Sequence, residues 1–177
     1  SAQKDRGIDL SPYAWEAAPV AVAKRSDIDI FIELMGGHEG PAKEATEAAL
    51  NAGKDVVTAN KALLAHHGQK LAEKAESGGK VLRFEAAVAG GIPVVKALTE
   101  GLAGNEITRI LGVMNGSCNY ILTRMQTEGL SYADVFAEAD ALGYLEADPE
   151  LDVGGIDAGH KLALLSSIAY GTEINFE

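Results

Sequence analysis

The sequence has a single cysteine, a single tryptophan and little positive charge. Cys118 alone cannot build an internal disulfide framework, and such sparse cysteine is typical of proteins from the reducing cytoplasm. Lysine and arginine supply 15 of the 177 residues against 26 acidic ones, so the formal net charge is −11. That balance excludes an unaided electrostatic grip on nucleic acid or on an anionic membrane. Apolar runs are also too short for the ~20 residues that a membrane-spanning helix needs.

Several motifs of catalysis and metal binding are missing as well. The sequence contains no G-x-S-x-G, no P-loop, no HExxH and no G-x-G-x-x-G. The four histidines lack the spacing of metal ligands, and His66 and His67 are expected on a solvated helix face. Asp148, Glu150 and Asp152 alternate like the start of a calcium loop. The glycine that should follow comes one position late and the twelfth position is not glutamate, which argues against calcium binding.

Short apolar runs alternate with helical patterns in the first half of the chain. We predict strands over 27–34, 55–60 and 80–88, with helices over 41–53 and 61–79. This alternation is typical of βαβ units and a parallel sheet, whose ligands bind beyond the carboxyl ends of the strands.

The rhythm changes after residue 90. We expect a helix that starts near Pro93, a strand and turn over 106–117 with Ser117 as the cap of the next helix, and a Ser131–Asp134 capping box. A long apolar helix over 157–171 ends the pattern. The chain is predicted to have two lobes, 1–88 and 89–177, with no flexible linker between them. The fold class is α/β, an incomplete Rossmann-like parallel sheet followed by an α+β lobe.

The segment "YLEADPELDVGGIDAGHK" (144–161) gathers five carboxylates beside one amine, Lys161. Asp157 and Lys161 are four residues apart and share a helix face, so a surface ion pair would explain them. An apolar helix, however, would partly desolvate Lys161 and suit it to acid–base work. The residue pattern favours the two interpretations equally.

A second amine, Lys61, directly follows the strand "VVTAN" at a position where sheets of this type contact ligands. A cation in the first turn of a helix is mildly unfavourable, which tilts the interpretation towards a functional lysine. The glycines of "MGG" (35–37) and "AGG" (89–91) are typical of tight turns or of close backbone approach to a ligand. Cys118 is expected to be a buried structural thiol.

Four motifs in register resemble homoserine dehydrogenase: "VVTANKALLA", "FEAAVAGGIPVVKAL", "GVMNGSCNYILTRM" and "GYLEADPELDVGGIDAGHKLALL". The resemblance runs from "RGIDL" to "YGTEINF". It implies an oxidoreductase that interconverts L-homoserine and L-aspartate 4-semialdehyde with NADP or NAD, in threonine, methionine and isoleucine biosynthesis. It further implies a cytoplasmic homodimer or higher homo-oligomer whose second lobe carries catalysis and dimerisation. Its ligands are small molecules, with neither nucleic acid nor membrane as a partner.

Residue roles follow from the resemblance position by position. It assigns catalysis to Lys161, Lys61 and Asp157, with Lys161 as the principal acid–base group. Substrate contacts fall on Glu146, which would hold the amino group, and on Asp152 and Tyr144. Cofactor contacts fall on Asn60, Gly36, Gly90 and Lys61. A sodium ion would sit on the backbone carbonyls of Glu85, Val88, Gly90 and Ile92.

The sequence departs from the family pattern at both ends. It has neither the opening strand and G-x-G-x-x-G turn nor the strands that complete the catalytic lobe, and we interpret it as the middle of the enzyme. A polypeptide of these residues alone is expected to bind NADPH weakly and to lack turnover, because the pyrophosphate rests on that turn. The alternatives are another Rossmann-type amino-acid or sugar dehydrogenase, or a non-catalytic dimerisation module.

Overall fold

A computed structural model describes residues 7–145 and 148–176. These residues divide into two compact units, one ending at Ile92 and the next beginning at Pro93. None of the helices formed by these residues is long and apolar enough to cross a membrane.

The first unit is built around a parallel sheet in the order β1-β2-β3. Its strands are β1 (Ile30–Glu33), β2 (Asp55–Thr58) and β3 (Leu82–Arg83). Its helices are α1 (Pro19–Ala23), α2 (Pro41–Asn51), α3 (Lys61–Ser77) and α4 (Glu85–Val88). The predicted α/β class, the parallel pairing and both long helices are confirmed.

Local sequence explains where the two long helices begin. Pro41 opens α2, where its fixed φ suits the first helical turn and its missing N–H costs nothing. Asn60 caps α3 by accepting the backbone N–H of Leu63 at 3.0 Å. Both helices bury an apolar face against the sheet. The resulting core consists of Ala23, Phe31, Ala45, Ala49, Leu50, Val56, Leu63, Leu71 and Ala75.

Two strand predictions need correction in this unit. Strand β3 has two residues rather than nine, and the "EAAV" that follows Phe84 forms α4 because glutamate and alanine favour a helical turn. The strand over 27–34 was expected to be buried, yet only one face of β1 is. Phe31 lies in the core, whereas Ile30 and Ile32 are 54% and 61% exposed. Within the described part of the chain, no element covers that second face.

The second unit is helical in its described residues. It contains α5 (Val94–Lys96), a π-helical turn over Ala97–Gly101, α6 (Gly116–Glu128), α7 (Tyr132–Ala141), α8 (Glu150–Val153) and α9 (Ile156–Tyr170). Helix α6 packs against α7, and α8 against α9. The contact of α6 with α7 buries Ile121, Val135 and Ala139. Ser131 accepts the N–H of Asp134 as the predicted capping box requires.

The strand predicted over 106–117 is wrong for the described residues, since 106–115 form no strand and α6 already begins at Gly116. The alternating apolar pattern is there, but a strand also needs a hydrogen-bonded neighbour. Leu111 and Val113 are each 75% exposed. The cap of α6 is Asn115 rather than Ser117.

Candidate functional site

Glu33, at the end of β1, organises the loop that follows it in the first unit. Its side chain is fully buried. Oε1 accepts the backbone N–H groups of Met35 at 2.5 Å and Gly36 at 3.3 Å, and Oε2 accepts the hydroxyl of Thr58 at 2.6 Å. One carboxylate therefore ties the loop after β1 to the carboxyl end of β2.

Asn60 holds the same loop from the other side. Its Nδ2 donates to the carbonyl of Gly37 at 2.7 Å, and its backbone N–H donates to the Thr58 hydroxyl at 3.0 Å. Gly36 has φ +83°, a conformation that favours glycine, and a Cβ there would project into open space. The structure thus brings Asn60 and the Gly36 loop together at the carboxyl ends of the strands.

The other first-unit residues singled out by the sequence lie near α3 and α4. Lys61 is the first residue of α3 and is half-buried, next to Asn60. Gly90 is exposed in the turn after α4. Among the proposed sodium ligands, the Glu85 carbonyl accepts the N–H of Ala89 at 3.1 Å. The described residues contain no group of three or more histidine, cysteine or acidic side chains suited to a metal ion.

The second unit contains an open cleft of about 630 Å³. Three of its walls are the start of α6, the turn before the acidic segment, and the α8–α9 region. The lining residues are Asn115, Gly116, Ser117, Tyr120, Gly143, Tyr144, Asp152, Asp157 and Lys161. The cleft therefore combines four of the residues that the sequence singled out on chemical grounds or by resemblance, Tyr144, Asp152, Asp157 and Lys161.

Lys161 points its ammonium group into this cleft from α9. Nζ donates to Asp157 Oδ2 at 2.7 Å and to the carbonyl of Met114 at 2.8 Å. The Lys161 side chain is 20% exposed and that of Asp157 only 2%. The ion pair is therefore largely buried, unlike the solvent-exposed surface pair that the four-residue spacing also allowed. Two of the three N–H groups of this ammonium therefore have partners among the described residues, and Lys161 lines the cleft.

Asn115 links the two buried acids of the cleft. Its Nδ2 donates to Asp152 Oδ1 at 2.7 Å and to Asp157 Oδ2 at 3.1 Å, while its Oδ1 accepts the N–H of Cys118 at 2.8 Å. Asp152 and Asp157 are each 2% exposed. Buried carboxylates of this kind need donors, and one amide supplies them to both.

Tyr144 forms another wall of the cleft and is held in place by contacts with Ser117 and Tyr120. Its carbonyl accepts the Ser117 hydroxyl at 2.5 Å, and its ring meets that of Tyr120 edge-on with centroids 5.0 Å apart. The Tyr120 hydroxyl donates to Glu138 at 2.6 Å, and that bond raises the pKa of Tyr120. Hydrogen bonds from Tyr120 and then Arg124 lower the pKa of Glu138.

Cys118 is half-buried, rather than buried as expected, and its thiol donates to the carbonyl of Asp152 at 3.2 Å. Burial, followed by the nearby carboxylates of Asp152 and Asp157, raises the pKa of the thiol. A thiol that resists ionisation is a poor nucleophile, which fits the structural role expected of it.

The remaining assignments lie elsewhere. Glu146, the expected partner of the substrate's amino group, is outside the described residues. His66 is exposed and stacks on His38 with ring centroids 4.3 Å apart, whereas His67 contacts Glu39 at 2.7 Å.

Sequence reasoning missed Glu33, Thr58 and Asn115. The signal for Glu33 was its position, since it is a carboxylate at the end of an apolar strand and three residues before Gly36. The asparagine before "GSCN" was the signal for Asn115, because asparagine is among the best N-caps.

The first unit, a parallel α/β unit with an ordered glycine loop at its strand ends, belongs to the class of Rossmann-like nucleotide-binding folds. Family models agree with both halves. Residues 3–85 match the NAD-binding domain of homoserine dehydrogenase, and residues 93–177 match the homoserine dehydrogenase family itself. The chain belongs to the homoserine dehydrogenase family.

Individual relatives agree with this family. The chain is 51% identical over 176 residues to the homoserine dehydrogenase of Neisseria gonorrhoeae, covering 99% of this chain and 40% of that protein. It is 52% identical over 156 residues to the Pseudomonas aeruginosa enzyme, covering 88% of this chain and 36% of that one. The chain thus spans about two fifths of the length of these relatives.

Solved structures of the family match the fold. A homoserine dehydrogenase from Thiobacillus denitrificans superposes with a TM-score of 0.87 at 49% identity, covering 90% of this chain and 37% of that one. A hyperthermophilic archaeal homoserine dehydrogenase in complex with NADPH superposes with a TM-score of 0.82 at 34% identity, covering 90% and 49%.

Proposed function

We propose that the protein takes part in the NAD(P)-dependent interconversion of L-homoserine and L-aspartate 4-semialdehyde. The observation that carries the proposal is the Lys161–Asp157 pair, 2.7 Å apart in a cleft that also contains Asp152 and Tyr144. Such a cleft suits a small zwitterion with an ammonium group at one end and a reacting oxygen at the other. We further propose that the protein acts in the biosynthesis of threonine, methionine and isoleucine, in the cytoplasm and as a homo-oligomer.

Lys161 is the acid–base group in this proposal. When the aldehyde is reduced, negative charge develops on its oxygen and the third N–H of Lys161 stabilises that charge. The N–H bond then breaks as the O–H bond forms, and water returns a proton to the amine. Asp157 and the Met114 carbonyl fix the ammonium so that its orientation does not have to be found during the reaction. By resemblance to the family, Lys61 is proposed as a second catalytic lysine.

Acidic residues of the cleft would bind the amino group of the substrate. Asp152, Asp157 and Lys161 together carry a formal charge of −1, from two carboxylates and one ammonium. The resemblance to the family assigns Glu146 to the same site, which would add a further negative charge. A substrate ammonium is complementary to that excess, and a charge-assisted hydrogen bond would orient it. Tyr144, held by Ser117 and Tyr120, would close the cleft beside it.

The loop at Gly36, held by Glu33 and Asn60, is the proposed seat of the nicotinamide. A Cβ at Gly36 would meet no heavy atom within 4 Å, which supports close approach of a ring to the backbone, and the Asn60 amide keeps the loop in place. NADP or NAD, when bound, supplies or accepts the hydride. Gly90 and Lys61 complete the assigned contacts.

Sodium remains part of the proposal through the carbonyls of Glu85, Val88, Gly90 and Ile92. The Glu85 carbonyl would have to share its oxygen with the Ala89 N–H. A sodium ion held there would stabilise the turn that carries Gly90. Thermal unfolding in sodium chloride and in choline chloride at equal ionic strength tests this, with a higher melting temperature expected in sodium.

Calorimetric titration with L-homoserine tests the proposed substrate. The matched control ligand is 4-hydroxybutyrate, which keeps the hydroxyl and carboxylate but lacks the amine. We expect saturable binding of homoserine and at least tenfold weaker binding of the control, which corresponds to about 1.4 kcal/mol for one charge-assisted bond. Equal affinities would contradict recognition of the amine. Failure of homoserine to bind would favour the alternative of a non-catalytic module.

Steady-state kinetics of a Lys161 variant test whether this lysine acts in the chemical step. In an active enzyme that contains these residues, Lys161→Ala should lower kcat by about 10²–10⁴ and leave cofactor affinity nearly unchanged, because the lysine acts mainly in the transition state. A near-normal kcat would remove Lys161 from the chemistry.

A further inference from the structure

We infer that Asn115 is a positioning residue that fixes both acids of the cleft, Asp152 and Asp157, and through them sets the affinity for the substrate ammonium. The inference rests on the proposed function for the identity of the substrate. Its geometric part concerns only how Asn115 arranges the two carboxylates and Lys161, and that part can be tested without any ligand.

The hydrogen bonds leave Asn115 only one orientation. Its Oδ1 accepts the Cys118 N–H at 2.8 Å, so the Nδ2 end must face the acids. Both amide hydrogens are then used, one at 2.7 Å from Asp152 and one at 3.1 Å from Asp157. The residue is 9% exposed, so water replaces these bonds poorly. Rotating the amide by 180° would lose the bond to Cys118 and turn an oxygen towards two carboxylates.

Three elements meet at this amide. Asn115 caps α6, Asp152 lies in α8, and Asp157 lies in the first turn of α9. The residue before it, Met114, accepts a hydrogen bond from Lys161 through its carbonyl at 2.8 Å. Two consecutive residues therefore position both acids and the lysine.

Charge explains why the donor matters. Asp152 and Asp157 would repel each other in a poorly solvated site, and Lys161 is hydrogen-bonded to Asp157. The amide hydrogens of Asn115 stabilise both carboxylates without adding a positive charge that would compete with the substrate ammonium. A lysine or arginine in its place would cancel the formal charge of −1 that attracts the substrate. A neutral double donor keeps the acids together and the cleft anionic.

The Asn115→Ser variant should keep the N-cap of α6 while removing the hydrogen bonds to Asp152 and Asp157. Serine is as good an N-cap as asparagine, so α6 should keep its start. Its short side chain cannot reach two carboxylates. We expect homoserine to bind at least tenfold more weakly to this variant, with helicity close to wild type. Asn119→Ala, on the exposed surface of the same helix, is the control and should leave the affinity unchanged.

Asn115→Asp adds a signature that loss of structure alone would not give. The introduced carboxyl keeps the cap but faces two acids without a hydrogen to donate. Protonation restores one donor, so the homoserine affinity of this variant should recover, relative to wild type at the same pH, as the pH is lowered. Wild-type affinity in Asn115→Ser, or no pH-dependent recovery in Asn115→Asp, would overturn the inference.

A ligand-free measurement keeps the inference distinct from the proposed function. Failure of the wild-type protein to bind homoserine would contradict the proposed function but not the positioning role of Asn115. The crystal structure of Asn115→Ser then decides on the geometry. We expect Asp152 and Asp157 to have moved apart, or Lys161 to have left the Met114 carbonyl. An unchanged arrangement would overturn the positioning role.

Discussion

The Asp157–Lys161 pair should be strongly coupled in stability, and the chain offers a control for it. Lys161→Met leaves Asp157, 2% exposed, with a buried charge and one ammonium partner fewer. Breaking a buried ion pair costs about 3–5 kcal/mol. Because Asn115 still donates to Asp157, we expect the lower end, about 3 kcal/mol. That is a large part of the 5–15 kcal/mol typical of a folded domain.

A double-mutant cycle isolates the coupling from other effects of the substitutions. The cycle combines Lys161→Met with Asp157→Asn. Lys96 and Glu100 have the same spacing, but their side chains are 67% and 56% exposed and 3.8 Å apart. We expect a coupling of about 2–3 kcal/mol for the buried pair and at most about 0.5 kcal/mol for the exposed one.

Urea unfolding followed by circular dichroism at 222 nm measures these free energies. Fluorescence of Trp15, the only tryptophan of the chain, separates the unfolding of the first unit. Raising the salt to 1 M should abolish the coupling of Lys96 with Glu100 and barely change that of Asp157 with Lys161. A coupling below 0.5 kcal/mol for Asp157 and Lys161, or one removed by salt, would refute the argument that burial makes this pair strong.

Further predictions concern Glu33, Cys118 and Glu146. Glu33→Ala should destabilise the first unit by about 3 kcal/mol, because three donors lose a charged acceptor, whereas Glu33→Gln keeps Oε1 and should cost less than about 1.5 kcal/mol. Equal urea midpoints for the two variants, read by Trp15 fluorescence, would contradict this role. The raised pKa of Cys118 should make its alkylation by iodoacetamide at pH 8 slower than in the urea-unfolded chain, with the difference shrinking as the pH rises. Because the folded thiol keeps its proton to higher pH than the unfolded one, this group should lower stability as the pH rises past its ordinary pKa. Glu146→Gln should weaken homoserine binding by about 10–100-fold through loss of a charge-assisted bond, and unchanged calorimetric affinity would remove Glu146 from amine recognition.

Local signals in the sequence were sufficient for the two long helices of the first unit, α2 and α3. Pro41 and the glycines mark the bounds of α2, and Asn60 marks the start of α3 through its own hydrogen bond. These signals act within one or two turns of the chain, so they are visible in a single sequence.

Strands were predicted less well because a strand depends on its neighbours. Residues 106–115 have the right alternation, but in the described chain nothing pairs with them. The "EAAV" after β3 shows a related problem, since a short apolar run fits a strand and a helical turn equally.

The sequence singled out Lys161, Asp157, Asp152 and Tyr144 among the residues that line the cleft and missed Asn115. Lys161 and Asp157 are visible from their four-residue spacing, and Asp152 from the resemblance. Asn115 is 37 residues from Asp152 and 42 from Asp157, so no local pattern joins them. A buried amide becomes visible as a linker only once the fold brings α6, α8 and α9 together.

A crystal structure of the protein with L-homoserine bound would test the proposed roles of Lys161 and of the acidic segment together. We expect the ligand in the cleft of the second unit, with its hydroxyl oxygen within hydrogen-bonding distance of Lys161 Nζ and its ammonium group against the acidic segment. Homoserine bound outside this cleft, or bound within it with the hydroxyl turned away from Lys161, would refute these roles.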